Sequence, residues 1–129
     1  MALDQKILHI ACELYRSGFF KNIETVIDMG DQDLNLNYSQ LRKSLDLLNI
    51  KDFDEILLHA KTYPQRPRLS SSCLWKMLGV KKTDRLDLIK IDRIKKDFLD
   101  NFFKVDLNHP IEEQMDFEPY DFVTDLGNN

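Results

Sequence analysis

Thr83-Asp84-Arg85-Leu86-Asp87-Leu88-Ile89-Lys90-Ile91-Asp92-Arg93-Ile94-Lys95-Lys96-Asp97-Phe98-Leu99-Asp100-Asn101-Phe102-Phe103-Lys104 carries the clearest periodicity in the chain. Leu88, Ile91, Ile94, Phe98 and Phe102 recur at helical spacing, so one face of a helix over Thr83–Lys104 would be apolar. Asp92 with Lys96, and Arg93 with Asp97, set opposite charges four residues apart on the outer face. Taken as a helix, this stretch makes the fold all-α.

Working backwards along the chain gives the same expectation. Leu3, Ile7, Ile10/Ala11 and Leu14 predict a first helix over Leu3–Arg16, with Gly18 free to end it in the left-handed conformation. Ile23, Val26 and Ile27 predict a second over Lys21–Met29, stopped at Gly30, and the Asp- and Asn-rich stretch 31–37 reads as a loop. Asn37 or Ser39 caps a third helix bearing Leu41, Leu45 and Leu48, with Asn49 as its stop. Asp52 with Glu55 has capping-box spacing for a fourth, through Ile56, Leu57 and Ala60. Pro64 and Pro67 interrupt the pattern, since neither fits a helix interior. Ser70 or Ser71 restarts it in a fifth helix that Gly79 ends. Gly and Pro, at four each, are too few for a turn-rich strand protein. The expected architecture is a compact all-α bundle of five to six helices over residues 1–104, followed by an acidic-aromatic C-terminal segment, 105–129. Leu47–Lys51 and Met77–Lys81 match at an offset of 30 residues, which makes stacked helical hairpins a variant of that bundle.

Charge is distributed in three blocks. Up to Ala60 there are six basic and ten acidic residues; Lys61–Lys104 holds twelve basic and five acidic; beyond Lys104 there are seven acids and no base. The basic excess concentrates at a corner formed by Arg66, Arg68, Lys76, Lys81, Lys82 and Arg85. Around Leu78-Gly79-Val80 this corner has the outline of a helix-turn-helix, in which flanking Lys and Arg would meet phosphates. Asp84 and Asp87 at the start of the second helix oppose that use, and Trp75 stands where a small residue lets two helices cross. The tail alternates acids with large apolar residues. Phe117, Glu118, Tyr120, Asp121 and Phe122 are candidates to dock into a basic apolar groove, on a partner or on the chain's own body.

No nucleophile elbow, phosphate-cradling glycine loop or paired metal-ligand set occurs, so no catalytic residue, metal ligand or cofactor is expected. Cys12 and Cys73 fall in apolar patterns that suit reduced thiols and a cytoplasmic protein; no apolar run approaches the length of a membrane span. The functional expectation is a non-enzymatic module that binds a protein partner by charge-guided docking, as an inhibitor, immunity factor or adaptor does. The alternative is a helix-turn-helix regulator that binds nucleic acid and is shielded by its own acidic tail.

Overall fold

The computed structural model describes residues 2–3, 5–30, 32–50, 53–88, 96–116 and 118–125. Its centre is a parallel sheet. Strands β2 (Thr25–Met29), β5 (Lys82–Asp87), β6 (Asn101–Lys104) and β7 (Phe122–Thr124) lie in the order β6-β5-β2-β7, every neighbouring pair parallel. A smaller sheet joins β1 (Ala2–Leu3), β3 (Asp33–Leu34) and β4 (Leu69–Ser70) in the order β1-β3-β4. Helices α1 (Gln5–Arg16), α2 (Tyr38–Leu48), α3 (Asp54–Thr62) and α4 (Ser71–Met77) complete the regular structure. The fold is α/β, which corrects the all-α expectation.

The correction has a physical cause in two strands. Thr25, Val26 and Ile27 are consecutive β-branched residues, stiff at χ1 and favoured on a pleated surface. Both faces of β2 are covered, so Val26, Ile27 and Asp28 are all buried although successive side chains point to opposite faces. A strand buried on both faces loses the alternation that would reveal it. β5 is disguised further, because its buried residues Thr83, Asp84 and Arg85 are polar. In the helical reading Leu88 should face the core, whereas it is 52% exposed. The second helix of a helix-turn-helix is therefore strand β5. Residues 89–95, including Asp92 and Arg93, lie outside the described residues, as do Asp52 and Phe117.

Four of the expected helices are present. Gly18 follows α1 at φ 86°, Asn49 ends α2 at φ 58°, and Gly79 follows α4 at φ 94°. Asn37 accepts from the Gln40 N–H at 2.9 Å and Gln40 Oε1 accepts from the Asn37 N–H at 3.0 Å, a reciprocal capping box. The match between Leu47–Lys51 and Met77–Lys81 covers two helix ends, but the first leads into a helix and the second into β5.

The sheet separates two cores. On one face Val26 packs with Leu8, Ala11, Phe20, Leu41, Ile56, Leu74 and Trp75 from the helices and the 3-10 turn Phe19–Asn22. On the other, Ile27, Leu86 and Val105 meet Met29, Phe103, Ile111, Met115 and Tyr120. Phe122 of β7 reaches the first core, 5.9 Å from the Trp75 ring and 6.2 Å from Phe20. Among the described residues no helix is long and apolar enough to cross a membrane.

Phe122→Ala should lower the unfolding free energy in urea by roughly 3 kcal/mol, the low end for truncating a Phe that packs on a core. Val123→Ala, at a side chain 56% exposed, should change it by less than about 0.5 kcal/mol. Equal effects of the two would contradict the inward placement of Phe122.

Candidate functional site

A polar row crosses the sheet beneath α4. In the register, Asp28 on β2 lies beside Arg85 on β5 and Thr124 on β7. Asp28 is fully buried, and its carboxylate accepts from Ser71 Oγ at 2.5 Å, Trp75 Nε1 at 2.9 Å and the Thr124 hydroxyl. Burial pushes its carboxyl above the usual range, against these hydrogen bonds and the Arg85 charge, which favour ionisation. Asp97 is the second carboxylate of the cluster. Burial raises it, but hydrogen bonds from Ser70 Oγ at 2.6 Å and Ser72 Oγ at 2.5 Å outweigh that. The Arg85 guanidinium at 3.1 Å adds to them, and the carboxyl is held below its ordinary value.

On the opposite face Asp84, also fully buried, accepts from Tyr120 Oη at 2.5 Å and Asn101 Nδ2 at 3.0 Å. Burial and the adjacent Asp84 raise the Tyr120 phenol, so it stays protonated as a donor. These networks couple strands to their coverings; they hold the frame of the carboxyl edge.

At that edge three of the parallel strands end in, or are followed within two residues by, an aspartate: Asp87 in β5, Asp106 after β6 and Asp125 after β7. Gly30 leaves β2 at φ 93°, a conformation that suits glycine, and donates its N–H to Leu86 O at 2.8 Å. Gln32 follows, 2% exposed, with neither its amide oxygen nor its amide nitrogen hydrogen-bonded. Its backbone carbonyl is held by the Ser71 N–H at 3.0 Å. A buried amide left unpaired is uncommon. Among the described residues no group of three or more His, Cys, Asp or Glu could hold a metal ion.

The structure disperses the basic corner. Lys76 pairs with Asp100 at 3.0 Å, Lys81 with Glu24 at 3.4 Å, Lys82 with Asp84 at 3.5 Å, and buried Arg85 with Asp97. Arg66 and Arg68 lie apart from these, on the wall of a separate cavity. In the tail, Asp121 accepts from the N–H groups of Glu24 at 2.8 Å and Thr25 at 3.2 Å, Tyr120 meets Asp84, and Phe122 enters the core. Glu118 is exposed. Asp28, Gln32, Ser71, Asp87 and Asp106 were not expected from the sequence. Their signal was Thr25-Val26-Ile27-Asp28-Met29-Gly30, a β-branched run closed by glycine. No family model matches the chain, and neither the curated proteins nor the solved structures give a match.

Asp97 supplies a pH test. A carboxyl depressed in the folded state contributes stability above its unfolded pKa and loses it as pH falls through the folded value. Asp97→Asn should cost roughly 2 kcal/mol near pH 7, within the range for unpairing a partly buried ion pair and its hydrogen bonds. The gap in melting temperature from wild type should narrow below about pH 4, the ordinary carboxylate range. A gap constant from pH 7 to pH 2.5 would contradict the depressed value.

Proposed function

We propose that the carboxyl edge of the parallel sheet binds a ribonucleoside with a cationic 5′ substituent, for which S-adenosylmethionine is the common biological example. The observation that carries the reading is strand order. Counted among the parallel strands alone, β2, β5, β6 and β7 run third-second-first-fourth across the sheet. That is the order of the first half of a doubly wound nucleotide-binding sheet, with the switch between β2 and β7. Open sheets of this kind take ligands outside the carboxyl ends of their strands at the switch point. Asp87, last residue of the second parallel strand, stands where a carboxylate accepts from ribose hydroxyls. Gln32, on the turn that leaves β2, offers an unpaired amide.

Charge favours a cation over a phosphate. The sequence that follows β2, Gly30-Asp31-Gln32-Asp33, has one glycine and two acids in place of a glycine-rich cradle. The next long helix, α2, starts only at Tyr38 and its N-terminus is already closed by its capping box. Asp87 and Asp106 add negative charge, which repels pyrophosphate and draws a cation. When bound, a sulfonium nucleoside supplies an electrophilic methyl group. The chain's own residues would attract it, hold its ribose and pair its polar edge.

This reading has more support than stoichiometric docking or nucleic-acid binding, because four of the six corner bases lie against acids. The free thiols Cys12 and Cys73 favour a reducing compartment such as the cytoplasm.

Titration calorimetry should find S-adenosylmethionine bound and NAD or ATP not bound. Asp87→Asn should weaken binding at least roughly tenfold, the loss of one hydrogen bond to a charged group, with the circular dichroism spectrum unchanged. Absence of S-adenosylmethionine binding, or tighter binding of NAD, would refute the reading.

A further inference from the structure

A cavity of about 410 Å³ lies between the β3–α2 connection and the proline-bounded segment before β4. Its wall is formed by Asp33, Asn35, Gln65, Arg66 and Arg68, together with the capping pair Asn37 and Gln40, over a floor of Leu34 and Leu36. Apart from the two leucines every lining side chain is polar, which disfavours an apolar occupant. Among the described residues the lining carries two guanidiniums, Arg66 and Arg68, and one carboxylate, Asp33. The helix end itself is not the attractant, since the capping box already occupies it.

The arginines sit on a rigid mount. Pro64 and Pro67 fix φ on either side of Gln65-Arg66 and restrict the residue before each. The Pro64 carbonyl accepts from the Tyr38 N–H at 2.8 Å, and the Pro67 carbonyl lies 2.8 Å from His59 Nε2. Arg68 then adopts φ 56°, a left-handed conformation uncommon for a side chain of this kind. Strained residues of this sort cluster at ligand clamps. A planar guanidinium suits carboxylate or phosphate oxygens, and the side-chain amides suit hydroxyl groups.

We propose that this cavity binds a small hydroxylated anion, a sugar acid or sugar phosphate, with Arg66 and Arg68 on the anionic group and Asn35 and Gln65 on hydroxyls. The site does not depend on Gln32 or Asp87, which carry the nucleoside reading; Asp33 is the one residue the two share.

The test is an amide-resolved NMR titration of the whole chain with glucose 6-phosphate, glucuronate and glucose. At least one of the two anionic sugars should bind ten times or more tighter than glucose and shift the amides of Asn35 and Gln65. Which one binds tighter distinguishes phosphate from carboxylate. Arg66→Ala should weaken that binding at least tenfold. Arg68→Gly should do the same while leaving the fold intact, since glycine takes φ 56° without strain. Asp87→Asn should leave it unchanged. No binding of either anion, glucose binding as tightly as both, or full affinity in Arg68→Gly would overturn the proposal.

Discussion

The Asp28 carboxylate constrains more of this molecule than any other group. A carboxyl in the middle of a strand covered on both faces cannot reach water, and leaving it unmatched while ionised would cost several kcal/mol. It is matched from three directions: Ser71 and Trp75 from α4 above, Thr124 from β7 on one side and the Arg85 charge from β5 on the other. Satisfying Asp28 therefore fixes where α4 lies, where β7 joins and which residues of β5 stand opposite. Ser70-Ser71-Ser72 resembles an ordinary helix start, but its hydroxyls divide between two acids. Ser71 serves Asp28, while Ser70 and Ser72 serve Asp97.

The three charge blocks of the sequence take on different meanings in space. Lys81 with Glu24 lies at the surface, where such contacts contribute about 0–1 kcal/mol, while Lys76 is mostly covered and Lys82 reaches down to the buried Asp84. Arg85 with Asp97 differs, because the Arg85 side chain is only 3% exposed and its charge also faces Asp28. In the tail, Asp121 binds backbone N–H groups where β2 begins, and so sets the register of β7. At the opposite end of the strands Asp87 accepts from the Leu88 N–H at 2.7 Å and Asp106 from the Asn108 N–H at 3.0 Å, and their carboxylates give the carboxyl edge its sign.

Sequence periodicity identified α1, α2, α3 and α4, because each keeps an apolar face against one core and ends at a recognisable stop. It failed where burial was polar or two-sided. Val26 and Ile27 fit a helical face as neighbours, yet they serve opposite cores. Lys82-Thr83-Asp84-Arg85-Leu86-Asp87 has no apolar alternation, and only the partners of Thr83, Asp84 and Arg85 explain why it is a central strand. Those partners come from residues up to 36 positions away, at Tyr120. The carboxyl edge was illegible for the same reason: Asp87 and Asp106 become neighbours in function only once the strand order is known.

Ser71 links the frame to the edge. Its hydroxyl binds Asp28 within β2, and its backbone N–H holds the Gln32 carbonyl on the turn that leaves the same strand. The turn is thereby tied to the strand from above, at two points separated by Gly30. A turn fixed in this way holds the Gln32 backbone in place while its buried amide has no partner within the protein. The buried carboxylates of Asp28 and Asp84 are satisfied within the protein, and the Gln32 amide beside the switch point is not. A buried group without a partner costs about 1–3 kcal/mol, the most that pairing the Gln32 amide with a bound group could return.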